Sequence, residues 1–276
     1  MGLYLTTKDF SVSSETFELH YEHESKMLIT HPHPEDLAPY YDSEAYISHT
    51  DSNASMVDWL YQRVKAINLR KKIQTIENQG FSKVKLLDFG AGTGDFLKKA
   101  KAKGFKVRGI EPNKKARQNA VKKGISLSNH INHFSGDTFD VITLWHVLEH
   151  LPDLNTQLKQ VLALLDANGM LVVAVPNYKS YDAKHYGRYW AGYDVPRHLW
   201  HFSRTAIHQL FDQHHMQVIA IRPMLFDAFY VSLLSEKYKG NRLALINAFI
   251  IGLWSNLRAC FSKEYSSLIY VLKRKN

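Results

Sequence analysis

The sequence predicts an α/β protein: a doubly wound, seven-stranded, mostly parallel sheet with helices on both faces, an N-terminal appendage and a helical insertion before the last strand. Three observations lead there. From residue 84 onward, short apolar runs alternate with stretches of helical periodicity, the pattern of βαβ units whose parallel strands are covered on both faces. A glycine-rich turn, Gly90, Gly92 and Gly94, stands between an apolar run and a helical one, the context in which backbone N–H groups at a helix start approach a ligand. A chain of 276 residues, 45% hydrophobic and 22% charged, is long enough and ordinary enough in composition for one such core with additions.

Taken in order, residues 1–50 are rich in His, Tyr, Glu and Pro with only short apolar runs, and read as an appendage that serves as a lid. Over Met56 to Glu77, Val57, Leu60, Val64, Ile67, Ile73 and Ile76 recur near helical spacing and predict a long amphipathic helix. Then follow a strand at 84–89, a helix from about Thr93, a strand at 106–111, a helix at 113–123, a short strand near 125–128 and a strand at 139–145. A helix at 153–166, a strand at 170–175, a loop at 177–203, a helix at 204–214 and a strand at 217–222 continue the series. The helical insertion 224–262 leads to a last strand, SSLIYVLKR, expected to be antiparallel. Residues 51–276 are thus read as one domain, with 177–203 and 224–262 as lids over a substrate. The apolar stretch LALINAFIIGLW (243–254) is too short to span a bilayer and is expected to be a buried helix, with an interfacial or lipid-facing helix as the alternative; no membrane span is predicted.

The start of the chain lacks the basic-then-apolar order of a signal peptide, and Cys260 is the only cysteine, which excludes an intramolecular disulfide and thiol-based metal sites. A cytoplasmic protein is the expectation. The net charge of +9 is concentrated in two runs, Lys98 to Lys103 and Lys114 to Lys123, on the exposed faces of predicted helices. Such a surface favours polyanions, yet no basic stripe interleaved with aromatics accompanies the runs.

The glycine turn narrows the ligand. A dinucleotide fingerprint places its third glycine three residues after the second, where this chain has Asp95. A phosphate-cradling loop of the Walker type requires Lys and Ser/Thr after its last glycine, where Asp95 and Phe96 stand. What remains is a ligand that is not a polyanion. Glu111, at the end of the next strand, is placed to accept ribose hydroxyls, and Asp88, just before the first glycine, favours an ammonium or sulfonium. S-adenosylmethionine carries all three groups.

The segments LLDFGAGTG, VRGIEPN and FDVITLWHVLEHLPD, in this order, resemble the class I S-adenosylmethionine-dependent methyltransferases, in the type 11/type 23 group that includes the ubiquinone-biosynthesis methyltransferases. The resemblance covers roughly residues 84 to 222 and implies a Rossmann-like sheet with S-adenosyl-L-methionine as cofactor. It implies that Asp88, Phe89, Gly90, Ala91 and Gly92 line the methionine half, that Glu111 holds the ribose, and that Pro112 with Asn129 or His130 flanks the adenine. Leu144, Trp145 and His146 would close the site beneath the transferable methyl, and Tyr46 and His49 in YDSEAYISH are the candidates for a segment folded over the cofactor.

Histidines invite two metal readings, and neither leads to an expected metal. HVLEH (146–150) has the H-x-x-E-H spacing of a zinc peptidase, but it follows a buried strand and Pro152 stops a helix. At the N-terminus, His20, His23, His31 and His33 fall where relatives carry a cysteine-paired zinc ribbon; with Glu22 and Ser25 in place of a cysteine pair, the segment looks degenerate.

Methyl transfer needs alignment, exclusion of water and, for a hydroxyl acceptor, a base. His146 and His198 are the candidate bases. The stretch 177–203 offers Tyr186, Trp190, Asp194, Arg197 and His201 for binding a planar or sugar-like acceptor. The expected function is methyl transfer to an oxygen or nitrogen of a small molecule. An RNA methyltransferase and a non-catalytic cofactor-binding protein are the alternatives, and the apolar insertion is open to two uses, walling off a greasy acceptor or forming a homodimer face.

Overall fold

A computed structural model describes residues 1–41 and 56–275, with side chains from residue 62 onward in the helix that begins at Met56. The Cα trace divides into two compact units: Met1–Ser52 with Val175–Gln213 and Ile221–Ile269, and Asn53–Ala174 with His214–Ala220 and Tyr270–Asn276.

The unit beginning at Asn53 is built on a sheet of order β5-β4-β6-β7-β10-β9. Its strands are β4 (Lys85–Phe89), β5 (Lys106–Ile110), β6 (Phe139–Trp145), β7 (Leu165–Pro176), β9 (Met216–Pro223) and β10 (Ser267–Arg274). β4 pairs in parallel with β5 and β6, and β6 with β7. Val141, Ile142 and Leu144 of β6 and Leu171 to Ala174 of β7 are almost wholly buried, as continuous apolar runs in a parallel sheet with two covered faces must be. Among the described residues the sheet has six strands rather than seven. The segment expected as a third strand is reduced to one parallel bridge, Ser128 to Ile110; its polar stretch SLSNH offers no apolar alternation to extend the ladder.

Helices flank these strands. The predicted first helix is α2 (Met56–Glu77), preceded in the other unit by the single turn α1 (Ala38–Tyr41). Ile73 and Ile76 are buried as the spacing requires, whereas Ile67 is exposed, and the side chains of Val57 and Leu60 lie outside the described residues. Next come α3 (Asp95–Ala102), whose Phe96, Leu97 and Ala100 are buried, and α4 (Lys114–Lys122), capped by the Asn113 side chain on the Ala116 N–H. α5 (Leu154–Ala163) is capped likewise by Asp153 on Thr156. Asp95 accepts from Lys123 and Lys65 at 2.7 Å each. Burial acts to raise its pKa, but the two lysines outweigh it and hold the carboxyl below its usual value.

The unit beginning at Met1 contains a feature absent from the sequence reading. Residues 1–41 carry β1 (Gly2–Lys8), β2 (Thr16–Tyr21) and β3 (Leu28–His31), which join β8 (Trp200–His201) in a four-stranded sheet; all three pairings are antiparallel. Alternation along β2 turns Phe17 and Leu19 inward, where they pack with Leu28, Tyr178, Tyr193 and Val195. The stretch 177–203, expected as a loop, includes α6 (Tyr181–Tyr186) and short 3-10 turns, followed by α7 (Arg204–Gln213). The helical insertion is a pair, α8 (Asp227–Tyr238) and α9 (Ala244–Ser262). Here the expectation of a short buried helix is corrected. α9 has 19 residues, is the one helix among those described that is long and apolar enough to cross a membrane, and leaves most of its large side chains exposed.

Candidate functional site

Beyond the buried strand β4 the chain turns sharply, and Ile110 at the end of β5 fastens the turn by accepting from the Gly90 and Ala91 N–H groups at 2.8 Å each. Gly90, Gly92 and Gly94 all have positive φ, at 75°, 53° and 77°. The first two glycines serve different ends. A Cβ on Gly90 would stand 2.4 Å from Val147 Cγ2, so that position is closed by packing; a Cβ on Gly92 would meet nothing within 4 Å. Open space beside a left-handed backbone is what a close-approaching ligand needs.

Glu111 borders this space. Its Oε2 accepts from the Gly92 N–H and its Oε1 from the Asn113 N–H, both at 2.8 Å. Two backbone donors therefore fix the carboxylate against the turn, and each oxygen keeps a second lone pair for another donor. The Ser128 bridge brings the next residue, Asn129, beside Glu111 and Pro112: the Glu111 N–H donates to Ser128 O at 2.9 Å. Asn129 and Pro112 are exposed, and His130 uses Nδ1 to accept from the Asn132 N–H.

Asp88, expected at the crevice, is buried in β4. Thr143 Oγ1 donates to it at 2.6 Å. Burial pushes its pKa up to about 7; Thr143 and Lys72 pull the other way, and the Glu111 charge adds to the rise. Thr143, one strand over, was not read from the sequence.

At the carboxyl end of β6, Leu144 is buried and Trp145 nearly so. Trp145 meets Phe96 edge to face at 5.5 Å, Lys72 Nζ lies 4.5 Å over its ring, and its Nε1 is buried without a hydrogen-bond partner. His146 then takes φ +57°, uncommon for a non-glycine residue and frequent where strain serves a site. Its N–H is held by Ala174 O at 2.9 Å, and its Nδ1 lies 3.3 Å from Oε1 of the fully buried Glu149. One third of the His146 side chain is exposed. The segment Leu148–His150 is a single 3-10 turn, so HVLEH does not form the helix on which a zinc peptidase pairs its histidines. Glu149, read from the sequence only within that metal motif, is the partner of His146; the i, i+3 spacing was the signal.

The remaining candidates belong to the other unit. Arg197 is almost wholly buried, donating Nη2 to Asp9 at 2.9 Å and to Asp194 at 2.7 Å, and Nη1 to Tyr40 O at 3.1 Å. Trp190 is buried and donates Nε1 to Asp182 at 2.8 Å; Tyr186 is buried beside it in the same core. Trp190, Asp194 and Arg197 line one cavity with Thr7, Ser11 and Tyr238. His198 Nδ1 donates to Gly192 O at 3.0 Å. Thr30 Oγ1 gives its proton to His198 O at 2.7 Å, so the 2.9 Å contact of His201 Nε2 with Thr30 makes Nε2 the donor. Burial, with His198 adding to it, keeps the His201 pKa well below its usual value, and the ring is neutral. Tyr46 and His49 lie outside the described residues.

Comparison with known proteins identifies the fold and the family. Residues 59–221 match the family described as "Methyltransferase domain". The ubiquinone biosynthesis O-methyltransferase of Haemophilus ducreyi is 33% identical over 119 residues, 38% of this chain, and the match spans half the length of that relative. Among solved structures, magnesium protoporphyrin IX methyltransferase from Synechocystis PCC 6803 with bound SAH is similar with TM-score 0.58 at 12% identity, over 86% of this chain and 97% of that one. A SAM-dependent methyltransferase from Thermotoga maritima gives 0.51 at 15% identity, over 73% and 87%. At such identities these structures show the shared fold. With the family match covering more than half of its residues, this chain belongs to the class I S-adenosylmethionine-dependent methyltransferases.

Proposed function

We propose that this chain transfers the methyl group of S-adenosylmethionine to an oxygen or nitrogen of a small-molecule acceptor, with the cofactor held at the turn after β4. The observation that carries the reading is the pairing of open space at Gly92 with a carboxylate, Glu111, pinned beside it by two backbone amides. When bound, the cofactor supplies an electrophilic methyl group on a sulfonium. Glu111 offers its unused lone pairs to the ribose hydroxyls, and Pro112 and Asn129 flank the base. Phe89, Gly90, Ala91 and Leu144 shape the wall. Asp88, incompletely compensated in its buried position, favours a cationic group nearby. The unpartnered Nε1 of Trp145 fits a ligand acceptor, since a buried donor left unpaired is otherwise costly.

His146 is the base we favour for a hydroxyl acceptor: its imidazole is accessible, and Glu149 orients it. His198 is the second candidate. The name of the Haemophilus relative supports oxygen as the target atom. Arg197, Trp190 and His201 are engaged by their own unit, which favours a structural role for them over acceptor binding. The exposed, unpaired Cys260 is compatible with the cytoplasm.

Calorimetry with S-adenosylmethionine and with its demethylated product tests the cofactor reading; absence of heat on folded protein would overturn it. A screen of metabolite extracts with methyl-labelled cofactor then identifies the acceptor. With the acceptor in hand, His146→Gln should lower turnover and remove the acid limb of the pH profile while cofactor affinity is kept.

A further inference from the structure

α9 is packed inside out. Its buried residues are small, Ala248, Gly252, Ser255 and Ala259, two small-xxx-small pairs on the face turned to α8. Contact there is so close that a Cβ on Gly252 would stand 2.9 Å from Phe229 Cα. Ser255 Oγ ties the same face to the buried Asp182 at 2.7 Å. The bulky side chains point the other way: Leu245, Ile246, Phe249, Leu253, Trp254 and Leu257 are 44% to 64% exposed, and Phe261 reaches 91%. In a water-soluble bundle large apolar groups go inward; small residues between helices with bulky ones outside is the arrangement of helices whose outer solvent is lipid. A contiguous stripe of this kind exceeds scattered surface exposure and marks a contact site.

Charge identifies the occupant. Between residues 225 and 263 the exposed ionised groups are cations, Lys237, Lys239, Arg242, Arg258 and Lys263, with Arg242 just before α9 and Lys263 just after it. The next residue, Glu264, has a side chain 28% exposed and is held inward by Asn177 at 2.7 Å and Arg204 at 3.9 Å. Glu236 is buried and accepts from Asn241, and Asp227 is half-buried in the first turn of α8. A second copy laid along the stripe would bring Arg242 to Arg242 or to Lys263 at the helix ends, with Glu264 already engaged by Asn177 and Arg204. An anionic bilayer surface instead offers acyl chains to the stripe and phosphates to the flanking cations. The inner face is held against Phe229 and the buried carboxylate of Asp182, which favours an in-plane orientation over a spanning one. We propose that α9 lies in the plane of an anionic membrane surface and docks this unit on it as a peripheral protein. The proposal stands apart from the methyl-transfer reading.

The test is cosedimentation of the full chain with vesicles of phosphatidylcholine, with and without about one third phosphatidylglycerol. Binding to the anionic vesicles that weakens with added salt, and far weaker binding to the neutral ones, is expected. The paired change Phe249→Ser and Leu253→Ser should lower partition by roughly tenfold or more, with the melting transition lowered only by loss of the Phe249 ring contact with Phe229 at 5.7 Å, the chain remaining folded. Arg242→Gln with Lys263→Gln should cost several-fold on anionic vesicles alone. Brominated lipid should quench a fluorescence component that Trp254→Phe removes, a readout on the native helix that needs no destabilising change. Failure of the folded chain to bind anionic vesicles, or equal binding to neutral ones, would overturn the proposal. So would sedimentation equilibrium showing a dimer that the Phe249/Leu253 variant dissociates.

Discussion

Asp9 and Asp88 are both buried aspartates, one in each unit, and they sit on opposite sides of their ordinary pKa. Burial acts to raise both. At Asp9 it is outweighed: Arg197 donates two hydrogen bonds, and the Ser11, Val12 and Ser13 N–H groups of the β1–β2 turn converge on the same carboxylate, so the pKa falls. At Asp88, Thr143 and Lys72 do not outweigh burial, and the pKa rises to about 7. The difference lies in the number of donors: Asp9 has a guanidinium and three backbone amides, whereas Asp88 has one hydroxyl and the charge of Lys72 to set against its burial.

The largest effect should come from breaking the compensated side. Arg197→Ala leaves Asp9 buried without its cation and should cost about 3–5 kcal/mol in denaturant unfolding. If stability instead held and acceptor KM rose, Arg197 would be a ligand group and the contrast between the aspartates would fail.

Asp88→Asn probes the other side through pH. An unfolded carboxyl ionises near 3.8 and the folded one near 7, so between these values the native state holds the extra proton and stability falls as pH rises. The penalty is complete above the folded pKa and amounts to about 4 kcal/mol at most. Asn keeps an acceptor for Thr143 without the charge, so the variant should be the more stable protein at pH 8, the difference vanishing below pH 4. Asp9 contributes with the reverse sign, its stabilisation being present above 3.8 and lost as pH falls through its lowered pKa.

Gly92→Val fills the open space beside the turn. Roughly a hundredfold loss of S-adenosylmethionine affinity is expected by calorimetry, with about 1–2 kcal/mol of stability lost to the left-handed backbone; normal affinity would reduce the turn to a structural bend. The smallest effect is assigned to Glu111→Ala, which should weaken cofactor binding by about tenfold, because the cradle persists when two hydroxyl hydrogen bonds go. Unchanged affinity would contradict the ribose contact.

Much of the parallel sheet was legible because strand and helix periodicities are local and the glycine turn lies where they meet. The third strand was over-read from a few apolar residues, and β1 to β3 were missed although Phe17 and Leu19 alternate correctly, because the surrounding His, Glu and Tyr masked a short strand. The position of Glu111 was readable from spacing: it stands at the end of the second parallel-sheet strand in sequence, where its Oε2 accepts from the Gly92 N–H. What escaped were partners distant in sequence, Thr143 beneath Asp88 and Asp9 beside Arg197, the latter 188 residues apart, and the left-handed backbone of His146.

By itself the sequence determined the strand–helix alternation of the parallel sheet, the glycine turn and the acid at the end of β5, since backbone propensity and hydrophobic period are written in neighbouring residues. Tertiary structure alone decided which charges are neutralised and which apolar face of α9 looks outward. Composition states how apolar a helix is, but only packing chooses which of its faces the rest of the chain covers. Ala248, Gly252, Ser255 and Ala259 took the inner face here because only small side chains let two helices approach so closely.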